Sequence, residues 1–111
     1  MTITEAKHND TFIVAIDGRL DASNAPDLER ALLKQIDGGA KKLLVDCAGL
    51  DYISSAGLRV LLVAAKRLKT VDGTVALSGL KHTVREVLDI AGFSPIFRLF
   101  ADRTTALAGL G

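Results

Sequence analysis

The feature that most restricts this chain is Leu43-Leu44-Val45, an unbroken apolar run set between Lys41-Lys42 and Asp46-Cys47. A strand with one face in water alternates apolar and polar residues, whereas a strand buried on both faces does not alternate. The run therefore predicts a central strand over Lys42–Cys47, covered on both sides. Such cover has to come from the rest of the chain, and its periodicity supplies it. Leu28, Leu32 and Ile36 recur at helical spacing, as do Leu58, Leu61, Leu62 and Ala65, and as do Val84, Val87 and Leu88.

Turn chemistry punctuates these segments. Thr2–Lys7 and Thr11–Asp17 are rich in strand formers, and Asn9-Asp10 between them predicts an antiparallel hairpin. Gly18-Arg19-Leu20-Asp21 is expected to carry the chain off the sheet. A helix then starts at Ser23 or Asn24, with Pro26 in its first turn, where a missing N–H costs nothing, and it stops at Gly38-Gly39. Ala48-Gly49-Leu50-Asp51 reads as a loop, and Leu58–Leu68 as the second helix. Asp72-Gly73 turns the chain into a strand over Thr74–Ser78. Thr83 with Glu86 three residues later fits a capping box for a third helix, Thr83–Ile90, which ends at Ala91-Gly92-Phe93. Ile96–Phe100 is the last strand, and Asp102 caps a final helix over Arg103–Leu110. Strands alternating with helices in this order predict an α/β fold: a mainly parallel mixed sheet with an N-terminal antiparallel hairpin and helices packed against it.

Several functional classes find no support in the sequence. A chain of 111 residues is the size of one domain, 1–111, and 49% hydrophobic residues suffice for one core. Fourteen Lys and Arg against 13 Asp and Glu give no charge excess that would favour nucleic acid. A single Cys forms no internal disulfide, and Cys47, at the end of an apolar run, reads as a buried structural thiol. His8 and His82 stand far apart and give no metal-ligand spacing. Asp46 and Asp51 without a pocket do not make a catalytic pair, and no nucleophile, base and orienting group can be assembled. The expectation is a binding protein rather than an enzyme, without a cofactor. The N-terminus lacks the blocks of a signal peptide, and no apolar run nears the roughly 20 residues of a membrane span, so a soluble cytoplasmic protein with no membrane insertion is expected.

The distinctive stretch is Leu50-Asp51-Tyr52-Ile53-Ser54-Ser55-Ala56-Gly57-Leu58-Arg59, two adjacent hydroxyls and a glycine between a strand and a helix. A helix starts with N–H groups that have no partner inside it, so a Ser there can cap it, and an anion there meets the positive end of the dipole. The serines thus read either as a simple cap or as a place where phosphate acts as a switch.

This stretch resembles the signature of the STAS family, roughly Asp-Ser-Ser-Gly-Leu-Gly at the start of the second helix. Gly18-Arg19-Leu20-Asp21 resembles the family's Gly-x-Leu-Asp, and Val84–Phe93 resembles its helix ending near Gly-Phe before the last strand. The resemblance covers nearly the whole chain. It implies a STAS domain and, since soluble members include bacterial anti-sigma factor antagonists, a partner-switching function in transcription regulation. In such proteins the unphosphorylated antagonist binds a serine-kinase anti-sigma factor. The kinase phosphorylates a serine at this helix start and ends binding, and a metal-dependent serine phosphatase reverses the step. Aligned on Gly57, the family's acceptor falls on Ser55, its Asp on Ser54, its second Ser on Ala56 and its last Gly on Arg59. Ser55 is thus the leading phosphorylation candidate and Ser54 the second. The resemblance implies a partner surface of Asp21, Ser54, Ser55, Ala56, Gly57 and Arg59. The departures at Ser54 and Arg59 sustain an alternative, a STAS adaptor subunit of a transport or other signalling complex that is not controlled by phosphorylation.

Overall fold

Leu43, Leu44 and Val45 are all fully buried, but not in the same place. Leu43 and Val45 belong to a large apolar cluster on one face of a sheet, and Leu44 belongs to a smaller one on the other. The computed structural model describes residues 1–111. In chain order it contains β1 (Thr2–His8), β2 (Thr11–Leu20), α1 (Ala25–Asp37), β3 (Lys42–Ile53), α2 (Ser55–Lys69), β4 (Thr74–Ser78) and α3 (His82–Ile90). A single 3-10 turn over Ser94–Ile96, β5 (Arg98–Phe100) and α4 (Arg103–Leu110) complete it.

The five strands lie side by side in the order β1-β2-β3-β4-β5. β1 and β2 pair antiparallel as the Asn9-Asp10 turn predicts, and the other pairings are parallel. Three successive crossovers step across the sheet in one direction. Because such crossovers share one hand, α1, α2 and α3 fall on the same face. There Leu28 and Leu32 of α1, Leu61 and Leu68 of α2, and Val84 and Leu88 of α3 close over Val14, Ile16, Val45 and Leu77. The opposite face has one helix, α4, whose Ala106 and Leu110 cover Ile13, Leu44 and Ala76.

The structure corrects several expectations. Gly18, Arg19 and Leu20 do not leave the sheet, and Ala48–Asp51 is not a loop. Both stretches are paired strand, with Gly18 opposite Leu50 and Leu20 opposite Ile53. Two register shifts, between Ala15 and Asp17 and between Gly18 and Arg19, let β3 carry extra residues while pairing continues. Glycine and aspartate are tolerated at such bulges, which is why they read locally as a loop. α2 begins at Ser55, three residues before Leu58. Thr83 is not a cap. α3 starts one residue earlier, Lys81 holds the capping position without a side-chain bond, and Thr83 sits inside the first turn. Ile96 lies in the 3-10 turn set by Ser94-Pro95, so β5 pairs with β4 only from Arg98 onward.

α1 starts and stops by different means. Asn24 holds the capping position, but its side chain serves the preceding loop instead, accepting from Asp21 N at 2.9 Å and donating to Arg19 O at 2.9 Å. At the other end Ala40 N reaches back to Gln35 O at 3.0 Å and Gly39 N to Ile36 O at 3.0 Å. Gly39 makes this possible by adopting φ +101°, a region that side chains with a Cβ avoid. A Cβ there would meet nothing within 4 Å, so the penalty is purely conformational. Gly39→Ala is expected to lower stability by about 1–2 kcal/mol. In urea unfolding this appears as a lower midpoint with an unchanged slope.

Candidate functional site

β2 and β3 end together, at Leu20 and Ile53, so the segments that follow them emerge side by side at the carboxyl edge of the parallel strands. In open α/β sheets that edge is the common place for sites. The β2–α1 loop brings Asp21 to it, and the β3–α2 junction brings Ser54, Ser55, Ala56, Gly57 and Arg59. The sequence-expected residues therefore share one end of the molecule. Ser54 N donates to Leu20 O at 2.9 Å and fixes where the junction leaves the sheet.

The two serines have different environments. Ser54 has extended backbone, and its Oγ accepts from Gly57 N at 3.2 Å while its carbonyl accepts from Leu58 N at 3.0 Å. It is the helix cap. Ser55 is the first helical residue, it is exposed, and its hydroxyl makes no hydrogen bond within the protein. The capping duty falls on one serine and leaves the other free.

Gly57 is needed here for space rather than for backbone conformation. It is buried, and a Cβ on it would lie 2.7 Å from Leu20 Cγ and 3.0 Å from Ile53 Cγ1. Its bare backbone lets the first turn of α2 rest directly on the ends of β2 and β3. Ala56 is half-buried, and Arg59 is exposed one turn beyond Ser55 on the same side of the helix. No carboxylate pairs with Arg59.

Asp21 is occupied by its own loop. Its Oδ1 accepts from Ser23 Oγ at 2.6 Å and from Ser23 N at 3.0 Å, and its carbonyl accepts from Ala25 N at 2.9 Å. The bond from the Ser23 hydroxyl, helped by the nearby backbone N–H groups and Arg19, holds the Asp21 carboxyl below its ordinary value. A lowered folded-state value means that the carboxylate favours the folded loop above the usual carboxylate range. That contribution is lost as pH falls through the lowered value. Beside the junction, the Arg19 guanidinium stacks 4.1 Å from the centre of the half-exposed Tyr52 ring. Lys81 pairs with Asp51 and ties the β4–α3 turn to the same edge.

Other titratable groups are committed elsewhere. Asp46 pairs with Arg103 at 2.8 Å on the α4 face, so Asp46 and Asp51 are drawn into separate ion pairs. Burial, together with the Asp46 charge, pushes the Cys47 thiol up to about 12, so it stays a protonated, inert thiol. No three His, Cys, Asp or Glu side chains gather as a metal site would require.

Sequence reasoning did not find what lies next to Ser55. A groove of about 500 Å³ opens from it, lined on the α2 side by Leu58, Arg59, Leu62 and Lys66 and closed by Ala91 and Phe93. Phe93 was read only as part of a helix end, since nothing local places it across from α2. The signal that was available is charge: α2 holds Arg59, Lys66, Arg67 and Lys69 and no acidic residue.

Comparison with known proteins follows the same geometry. The family model described as "STAS domain" matches residues 2–106. BtrV of Bordetella bronchiseptica, named as a candidate anti-sigma factor antagonist, is 43% identical over 108 residues, which cover 97% of this chain and 93% of BtrV. The anti-sigma-F factor antagonist RsfB of Mycobacterium tuberculosis is 27% identical over 111 residues, covering 99% of this chain and 89% of RsfB. The crystal structure of an anti-sigma factor antagonist from Mycobacterium paratuberculosis superposes with a TM-score of 0.90 at 22% identity, covering 98% of this chain and 92% of that one. At that identity the likeness is one of fold.

The division between the serines is measurable. Ser54→Ala should lower stability by about 1 kcal/mol through loss of the cap. Ser55→Ala should stay within about 0.5 kcal/mol, as for an exposed side chain without partners. Gly57→Ala should cost about 1–3 kcal/mol, since Leu20 and Ile53 must give way. Urea unfolding of the three variants tests the assignment, and equal losses for Ser54→Ala and Ser55→Ala would contradict it. Cys47 should react with a thiol reagent such as Ellman's only once the protein unfolds.

Proposed function

The chain belongs to the STAS domain family, and we propose that it is an anti-sigma factor antagonist switched by phosphorylation of Ser55. The observation that carries this reading is the exposed, unbonded hydroxyl of Ser55 at the first position of α2, next to a Ser54 already committed as the cap. The names of the relatives BtrV and RsfB supply the functional class.

In the proposed cycle the unmodified protein binds a serine-kinase anti-sigma factor through the edge formed by Asp21 and by Ser54 to Arg59. The Ser55 oxygen attacks the γ-phosphorus of ATP. A new P–O bond forms, the bond to ADP breaks, and the hydroxyl proton passes to a base of the kinase. A serine phosphatase hydrolyses the ester and restores the binding form.

A phosphate here adds a charge of about −1.5 to −2 at neutral pH. Placed in an interface, that charge must be desolvated or matched, and a loss of only about 1.4 kcal/mol already weakens binding tenfold. The surrounding chemistry moderates the effect. The positive end of α2 and Arg59 on the same helical side both favour an anion at Ser55. A carboxylate mimic, with about one charge, would be largely offset by them.

The replacement of the family's Asp by Ser54 and of its last Gly by Arg59 favours a second reading, an adaptor whose binding does not depend on phosphate. Incubation with the kinase that co-purifies from the host, with ATP, separates the two. The expected result is phosphate on Ser55 by mass spectrometry and at least a tenfold loss of affinity. Ser55→Ala should bind as the unmodified protein does and take up no phosphate, and Ser55→Glu should reproduce only part of the loss. A kinase complex that persists through ATP treatment, with neither Ser55 nor Ser54 modified, would favour the adaptor.

A further inference from the structure

The groove that starts at Ser55 does not stop at Lys66. A second depression, of about 640 Å³, shares Leu62 and Lys66 with the first and continues past Lys69 to Ile96 and Arg98. Together they form one channel alongside α2, walled on its far side by the segment that joins α3 to β5. On α2 the positions 55, 59, 62, 66 and 69 recur at steps of four, three, four and three, so they form one stripe down the helix. The 15-residue helix makes that stripe about 21 Å long.

Two properties of the channel are unusual for a protein with a net charge of +1. Its ionic lining is entirely cationic: Arg59, Lys66 and Lys69 stand along α2, Arg98 borders the channel with its guanidinium turned to α4, where it donates to Gly109 O at 3.2 Å, and no carboxylate contributes. None of the four pairs with an acidic residue anywhere in the chain, although seven other basic or histidine side chains do. The floor between these charges is apolar, with Leu58, Leu62, Ala65 and Phe93, and Ile96 stands 50% exposed at the far end. A concave apolar floor with a rim of one charge sign is complementary to a convex rod with an apolar stripe and opposite charges on its flanks.

We propose that this channel docks an acidic amphipathic helix of a protein partner, of about 14 residues, lying alongside α2. Carboxylates on the helix meet Arg59, Lys66 and Lys69, and its apolar stripe fills the floor over Leu62 and Phe93. The concavity favours a helix over an anionic membrane, because a flat lipid surface reaches the rim and not the floor. The helix-in-groove mode needs anchors at i, i+3, i+4 and i+7 on the partner. The proposal rests on the regulatory reading for taking the partner to be a protein, and not for the chemistry of the channel. It also places Ser55 at the mouth of the channel, where an added phosphate would repel an acidic occupant.

The test is to pan a random 14-residue peptide library on the unphosphorylated protein and to map recovered peptides by amide chemical shifts. Expected are peptides of net negative charge with apolar residues at helical spacing, which shift the amides of Leu62, Lys66, Phe93 and Ile96. Their affinity should fall at least tenfold in Lys66→Glu/Lys69→Glu, by a smaller factor in Lys66→Gln/Lys69→Gln, and with rising salt. Both lysines are exposed, and circular dichroism checks that the variants keep the fold. Failure to recover any binder that shifts those amides would overturn the proposal, as would binders indifferent to the lysine variants. Sedimentation with phosphatidylglycerol vesicles through the same residues, without peptide binding, would assign the channel to a lipid surface and overturn it too. None of these readouts involves a kinase, so their failure leaves the phosphorylation reading standing, and failure of that reading leaves these results intact.

Discussion

Everything at the candidate site depends on β3 being covered on both faces. Leu43 and Val45 are sealed by the three-helix layer and Leu44 by α4, so the strand can neither slip in register nor move to an edge without exposing one set or the other. With β3 fixed, its partner β2 is fixed as well, and their carboxyl ends arrive together at Leu20 and Ile53. The contact of Gly57 with those two residues then sets the height at which α2 begins. Ser54 is carried into the capping position and Ser55 into water. The exposed hydroxyl is thus the last consequence of a chain of packing decisions that starts in the core.

Much of this was readable because each step had a local signature. The unbroken Leu43-Leu44-Val45 run announced a strand with two buried faces, and Asn9-Asp10 announced the hairpin. Gly38-Gly39 announced the end of α1. Where the reading failed, the governing interaction was not local. Gly18-Arg19-Leu20 and Ala48-Gly49-Leu50-Asp51 each have the composition of a turn, but they pair with each other across a bulged parallel ladder, which neither segment reveals alone. Thr83 and Glu86 satisfied the spacing of a capping box two residues too late, because α3 starts at His82 and Lys81 holds the capping position.

The site divides in the same way. That the Ser54-Ser55 pair stands at a helix start was legible from the strand before it and the apolar spacing after it. Which serine caps and which stays free follows from the backbone: the cap must be extended, and only Ser54 is. Asp21 was legible as a loop residue beside the site, and its carboxylate proves to be occupied with Ser23. The channel beside α2 was not legible, since Phe93 and Ile96 lie some thirty residues from Leu62 in the chain and reach it only through the fold. Half of it could be anticipated, because fifteen residues of helix with four cations and no acid is a pattern visible in the bare sequence.

The position of Arg59 within that pattern bears on what the surface is for. Lys66, Arg67 and Lys69 occupy the last turn of α2, where they favour the helix by matching the negative end of its dipole. Arg67 is also paired with Asp37 at 3.1 Å. These three serve the stability of α2 whatever else Lys66 and Lys69 meet in the channel. Arg59 is the fifth residue of α2, one turn in from Ser55, with no carboxylate to offset it. The dipole, whose effect falls off within the first turn, gives a cation there none of the support that the last turn offers. Neither the dipole nor an ion pair accounts for its place on α2, and under the proposed function an anion meets it for part of the protein's working cycle. The two anions consistent with its surroundings are a phosphate on Ser55, one turn back on the same side, and a carboxylate of a partner helix in the channel. They would compete for the same guanidinium, which couples the modification at the helix start to occupancy of the groove without any change of fold.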